Sequence, residues 1–153
     1  MPAMSPHEQL QIEDLGKEEE QWSVFETSTS EGPLVFRINV SAAQWAKHPA
    51  LGIRVGFALP LNQPVPGGLP DPAENRQLND VEDQIFSCVM ASGPAIEVLA
   101  ISTGTFKEYI FYIQNGDAVA QMHDKLRSEI TSHEVQCMAV HDPEWMVYAS
   151  FAQ

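Results

Sequence analysis

Between Leu51 and His141 the apolar residues keep changing period, and the order of those changes restricts the fold more than any other feature. A spacing of two gives way to a helical spacing, then two, two, helical and two again: strand, helix, strand, strand, helix, strand. Each helix carries its own start signal, Asp71-Pro72 for the first and Asp117 for the second. That order predicts an α+β class with a ferredoxin-like βαββαβ unit over residues 51–141. The architecture hosts many unrelated activities, so it constrains the shape more than the chemistry.

The flanking patterns attach to this unit. Trp22 to Thr29 and Leu34 to Val40 read as strands joined by Ser30-Glu31-Gly32-Pro33, an N-terminal β-hairpin expected to extend the antiparallel sheet. Ser41 is placed to cap a short helix, AAQWAKH, that stops near Pro49. In LGIRVGFALP, Leu51, Ile53, Val55, Phe57 and Leu59 point one way, towards the helices. Gly52, Arg54, Gly56 and Ala58 point the other way, a face of small groups with one cation. The hairpin segment, residues 41–50 or a second subunit is expected to cover that face, and a homodimer is the expected assembly.

PLNQPVPGGLPDP holds five prolines and two glycines in thirteen residues, which no regular element survives. It reads either as a lid over a pocket or as a rigid crossover. Asp71, Pro72 and Glu74 follow as N-cap, N1 and N3 of the first helix, a capping-box arrangement. Leu78, Val81, Ile85 and Cys88/Val89 form that helix's apolar stripe; Val119, Met122, Leu126 and Ile130 form the second's. EVQCMAV reads as the last core strand, and Asp142-Pro143-Glu144 opens a short C-terminal helix carrying Trp145 and Tyr148.

Composition removes several classes of activity. Eight Lys+Arg against 21 Asp+Glu give a formal charge of −13, and no two basic residues are adjacent. Nucleic-acid binding and attachment to anionic membranes are therefore disfavoured. No apolar run approaches the ~20 residues of a membrane span. The first twenty residues have neither a basic opening nor an apolar stretch, so no signal peptide is expected and the setting reads as cytoplasmic. Six acids and one lysine there, with few large apolar residues, predict an acidic flexible tail over 1–20 and a single domain over 21–153. Cys88 and Cys137 read as buried thiols of a reducing compartment, with a disulfide between them left open.

Motifs of chemistry are scarce. The chain has no GxSxG, P-loop, GxGxxG, HExxH or CxxC pattern. His123, His133 and His141 lack metal-ligand spacing and read as surface histidines flanking a strand, so no metal and no cofactor is expected. Lone cysteines within apolar patterns are inert thiols. Arg37, Arg54, Glu97, Lys107 and Glu108 hold more interest, because an arginine on a small-residue face can take a carboxylate bidentately. The plainer reading is cross-strand ion pairing on a solvated sheet face.

Four phrases occur together in order: WSVFETSTSEGPLVFRINV, GLPDPAENRQLNDVED, TGTFKEYIFYI and DPEWMVYASF. In combination they resemble the bacterial domain-of-unknown-function 695 family over about residues 20–152. The resemblance implies a fold and a bacterial, intracellular setting, with no reaction to carry over. Some members look like fusions to a domain similar to the protein regulator of ribonuclease E activity B, which implies a regulatory, protein-binding role. On the matching positions it directs attention to Trp22, Arg37, Glu74, Lys107, Glu108, Tyr112, Asp142 and Trp145.

Two functional expectations follow. The first is a non-enzymatic interaction or regulatory module whose acidic surface meets a basic protein partner. The second is a small-molecule binder or enzyme with a pocket on the open sheet face around Arg54 and Arg37. Glu97, Lys107, Glu108 and Tyr112 would be its further ligand-binding residues.

Overall fold

The computed structural model describes residues 10–152. One antiparallel sheet contains β1 (Trp22–Thr29), β2 (Gly32–Asn39), β3 (Ile53–Pro60), β4 (Ala95–Ser102), β5 (Phe106–Ile113) and β6 (Gln136–His141). The helices are α1 (Pro72–Ala91), α2 (Val119–Glu129) and α3 (Met146–Phe151). The spatial order is β1-β2-β4-β5-β3-β6, whose last four strands are the split βαβ arrangement read from the apolar periods. The β1–β2 hairpin joins the edge of β4, with Phe36 opposite Ile101, and lengthens the sheet as expected.

Alternation sends each set of strand residues to its own core. Val55, Phe57 and Leu59 of β3 and Tyr109, Phe111 and Ile113 of β5 meet Leu78, Val81, Ile85 and Val89 of α1 and Met122 and Leu126 of α2. Each such large side chain, fully buried, stabilises the fold by about 1.5–3 kcal/mol. On the opposite face Ile38 of β2, Ile96, Leu99 and Ile101 of β4, and Ile110 and Tyr112 of β5 meet Trp45, Leu51, Trp145 and Tyr148. Residues 41–50 thus do lie on that face, together with α3 and with Leu10, Ile12 and Leu15. No residue of β3 or β6 enters this second core, so among the described residues the β6–β3 half of the face has no apolar cover.

One irregularity decides which face each polar residue reaches. Glu97 is opposite Phe111 but Leu99 is opposite Ile110, so β4 carries one extra residue, Val98. Val98 and Leu99 are both fully buried. Past this bulge Ala100 is opposite Tyr109, and Arg37 is opposite Ala100. Arg37 therefore shares the helix-bearing face with Tyr109, whereas Arg54, opposite Tyr112, occupies the other. With unbroken pairing Ala100 would stand opposite Glu108 and the two arginines would share a face.

Several local expectations change in detail. Asp71 caps α1, its carboxylate accepting from the N–H groups of Ala73 and Glu74 at 3.1 Å each, a contact worth about 1 kcal/mol. Glu74 does not complete a capping box. It turns to the proline-rich loop and accepts from the N–H groups of Asn62 at 2.7 Å and Gln63 at 2.9 Å. Ser41 caps no α-helix: Val40–Trp45 is a 3-10 segment, and the Ser41 hydroxyl bonds the Asn39 side chain. Asp117 falls within a 3-10 turn, Gly116–Ala118, and α2 follows with no side-chain cap. β6 starts at Gln136 and forms an edge of the sheet with Gln136, Met138, Ala139 and His141 exposed, so it is not a core strand.

The proline-rich loop is tied down as a crossover. Leu61 and Val65 donate their N–H groups to the carbonyls of Thr105 and Gly104 in the β4–β5 turn, at 2.9 and 2.7 Å. The approach is so close that a Cβ on Gly104 would stand 2.0 Å from the Val65 carbonyl oxygen. At the N-terminus, residues 10–20 of the expected flexible tail are placed: Ile12–Asp14 forms a 3-10 turn, and His48 Nε2 lies 3.0 Å from the Leu10 carbonyl oxygen. Residues 1–9 of that tail lie outside the described residues.

Candidate functional site

Where β2 ends and β4 begins, the 14–20 segment, the 3-10 segment and the second half of α1 enclose a cleft of about 270 Å³. Phe86 and Met90, one helical turn apart on α1, join Leu15, Trp45 and Ile96 as its apolar lining. Asp14, Glu18 and Glu20 supply the charge, and among the described residues no Lys, Arg or His lines it. The Glu18 carboxylate accepts from Gln44 Nε2 at 2.6 Å and the Glu20 carboxylate from Trp22 Nε1 at 2.9 Å. Among the described residues only Asp14 has a cation within salt-bridge distance, the exposed Lys17 at 3.3 Å. Among the described residues neither Glu18 nor Glu20 has a basic group within salt-bridge distance.

A buried polar network runs from this cleft beneath α1. The Arg37 guanidinium lies 5.2 Å from the centre of the Trp22 ring, and its Nη2 donates to both carboxylate oxygens of Glu82, at 2.8 and 2.7 Å. Glu97, 6% exposed, is packed against this pair. Burial, then the Glu82 carboxylate, pushes its pKa up to about 9, so the proton is retained at neutral pH. Its Oε2 has no partner. Lys107 is equally buried and donates to Asn75 Oδ1 at 2.7 Å; burial lowers its pKa. The Tyr109 hydroxyl donates to the Leu78 carbonyl at 3.1 Å, and burial pushes its pKa up.

Arg54, Glu108 and Tyr112 form a separate group on the opposite face. Arg54 Nε lies 3.3 Å from Asp142 Oδ2. The same carboxylate accepts from the Tyr112 hydroxyl at 2.7 Å and from the Met146 and Val147 N–H groups that open α3. Burial would raise the Asp142 pKa, but these donors and Arg54 outweigh it and hold it low. Trp145, in a left-handed conformation at φ 55°, stacks on the Tyr112 ring at 4.1 Å and donates its Nε1–H to the Leu51 carbonyl at 2.9 Å. Glu108 borders a shallow concavity with Ala58, Pro60, Phe106 and Gln136; burial raises its pKa although Arg54 opposes the shift.

The single pocket expected around Arg54 and Arg37 is therefore not formed, because the bulge in β4 puts the two arginines on opposite faces. Arg37, Glu97 and Lys107 come together under α1; Arg54 and Tyr112 meet Asp142 beside α3, and Glu108 lies on the same sheet face over Gly56. Nor is the pairing cross-strand on a solvated face: Arg37 pairs with a helix residue and Arg54 with the residue after β6. The cleft acids were missed, since all three lie in a stretch whose composition resembles a tail. Leu10, Ile12 and Leu15 at spacings of two and three were the available sign that this stretch packs.

His133 is not a surface histidine. It is buried, its Nε2 donating to the Glu74 carboxylate at 2.6 Å and its Nδ1 lying 3.0 Å from Ser132 Oγ. His123 Nε2 lies 2.7 Å from the Val135 carbonyl oxygen. Among the described residues no group of His, Cys, Asp and Glu is arranged to hold a metal ion. Cys88 and Cys137 are free thiols, Cys88 buried and Cys137 half-buried; burial pushes Cys137 up to about 11. No helix among the described residues is long and apolar enough to cross a membrane. A family model described as a family of unknown function, DUF695, matches residues 20–152. No curated protein and no solved structure matches the chain.

Proposed function

The chain belongs to the DUF695 family, and on that premise we propose that it is a non-enzymatic interaction module whose acidic cleft receives a cationic, partly apolar segment of a basic protein. The observation that carries this reading is the lining of the cleft: Glu18 and Glu20, with no basic group among the described residues within salt-bridge distance, beside Phe86, Met90, Trp45 and Leu15. Such a lining suits a lysine or arginine, whose aliphatic stem takes up apolar surface while its charged head meets a carboxylate. The formal charge of −13 adds long-range attraction for the same partner. Beneath α1 the Arg37–Glu82 pair and the Lys107–Asn75 hydrogen bond fasten the helix to the sheet and support that wall of the cleft.

Calorimetric titration with a short peptide of alternating lysine and leucine tests the reading. Binding should weaken steeply between 50 and 300 mM salt, values chosen because screening lengths shorten to less than about 10 Å over that range. The Glu18→Gln/Glu20→Gln double variant and Phe86→Ala should each weaken it by roughly tenfold, which is about 1.4 kcal/mol. Equal binding by wild type and both variants would place the contact elsewhere on the acidic surface and end this proposal.

A further inference from the structure

The acidic cleft has an inner end, and a buried acid occupies it. Ala95 and Glu97 of β4 are opposite Ile113 and Phe111, both in the helix-side core, so their side chains share that face. Ala95 lines the cleft, and Glu97 stands one side chain deeper. On α1 the same step repeats: Phe86 and Met90 line the cleft, and Glu82 lies one helical turn before Phe86. Glu97 is 6% exposed, and among the described residues its Oε2 has no hydrogen-bond partner. A buried acceptor without a donor is costly, so a donor arriving from outside is favoured there. The charges that act on Glu97 come from Glu82 of α1, Arg37 of β2 and Glu20 ahead of β1, which itself lines the cleft. Arg37 is already bound to Glu82, and on β5 Lys107 is bonded to Asn75 and Tyr109 to the Leu78 carbonyl. One further cation is what this end of the cleft lacks.

We propose that Glu97 is the innermost binding group of the cleft, its carboxyl taking the guanidinium of an arginine in the partner while Glu20 holds the same head from the mouth side. This role for Glu97 rests on the function proposed above; it adds the residue that selects the head group and a proton that binding sets free. A guanidinium is planar and weakly hydrated, and its fork of N–H donors can serve two carboxylates at once. An ammonium is compact and gives up its water reluctantly. Burial, and then Glu82, raises the Glu97 pKa to about 9, so the free protein keeps this carboxyl neutral. A guanidinium beside it favours the anion, and the proton passes from the Glu97 carboxyl to solvent. Affinity then rises with pH, by up to about tenfold per unit where the free protein keeps the proton and the complex has lost it.

Calorimetric titration with a peptide of alternating arginine and leucine, blocked at both ends so that it does not titrate between about pH 7.5 and about pH 8.5, reads both effects. Compared in two buffers of different ionisation enthalpy, wild type should release about one proton per peptide and bind several-fold more tightly at the higher pH. Glu97→Gln, which keeps the neutral shape, should bind with no proton release and no pH slope, and about tenfold more weakly at the higher pH. Lysine in place of arginine in the peptide should weaken binding to wild type by about tenfold. Binding that depends on Glu18 and Glu20 but releases no proton, keeps its pH slope in Glu97→Gln, or is equally tight for the lysine peptide overturns the role of Glu97 and leaves the cleft reading in place. No binding by wild type ends both.

Discussion

His133 Nε2 and the Glu74 carboxylate meet at 2.6 Å across 59 residues of chain, with both side chains almost wholly buried. The same carboxylate holds the N–H groups of Asn62 and Gln63, so one acid fastens α1, the proline-rich loop and the segment before β6.

Glu74→Gln should therefore cost about 2–4 kcal/mol, because the amide NH2 it introduces faces donors where only an acceptor fits. Tm should drop by roughly 4–16 °C in a chain of this size. Burial would raise the Glu74 pKa, but the two N–H groups and His133 outweigh it and hold it below 4.5. A lowered carboxyl stabilises above its unfolded pKa and loses that contribution as pH falls through the folded value. Urea melts should show wild type losing stability below about pH 4.5, with a shallower decline in the variant. Parallel declines would refute the assignment.

Glu97 has the opposite sign. Its pKa, raised by burial and then by Glu82 to about 9, means the fold retains a proton that the unfolded chain releases near pH 4.5. Stability should fall as pH rises from that value towards 9 and level off above it. Glu97→Gln keeps the neutral shape at every pH, so at pH 8 it should be more stable than wild type by about 1–3 kcal/mol. The gain should vanish near pH 4.5. Guanidinium melts at the two pH values decide, and a less stable variant at pH 8 would show that Glu97 is ionised in the fold.

Asp142→Asn should cost about 2–4 kcal/mol, since it leaves Arg54 uncompensated and weakens the bonds from Tyr112, Met146 and Val147. Tyr112→Phe removes one of these bonds and should cost about 1 kcal/mol. Trp145 emission reports the local effect, because its ring stacks on Tyr112. An unchanged melting curve for Asp142→Asn would mean that α3 is held by its apolar side chains alone.

Two glycines should respond very differently to alanine. Gly104→Ala drives a Cβ to 2.0 Å from the Val65 carbonyl oxygen, a backbone atom, and should cost more than about 3 kcal/mol. Gly56→Ala meets only the flexible end of Glu108 at 3.0 Å and should cost less than about 1 kcal/mol. Differential scanning calorimetry of both variants tests the contrast; similar losses would count against the tight docking of the proline-rich loop.

The order of apolar periods carried the sheet order, both helix stripes and the added hairpin, because binary alternation is a local property. The phase between strands is not local. Nothing within Ala95-Ile96-Glu97-Val98-Leu99 distinguishes an extra residue from continued alternation, and that single residue sent Arg37 and Arg54 apart. Glu74 illustrates a second limit: its spacing from Asp71 satisfies a capping box, yet the buried donors of Asn62, Gln63 and His133 form a better set. The cleft escaped notice for a third reason. Its lining comes from four segments between Asp14 and Ile96, and only tertiary packing brings them into one place.

The second core has a consequence for how the chain is made. Its sheet side is complete once β5 has been synthesised, but Trp145 and Tyr148 arrive only after β6. Until then Ile38, Ile96, Leu99 and Tyr112 have only the part of their outer layer that Trp45 and Leu51 supply, and the nascent protein presents the apolar surface that Trp145 and Tyr148 will cover. Vectorial synthesis thus exposes this half of the molecule to chaperones and to aggregation longest.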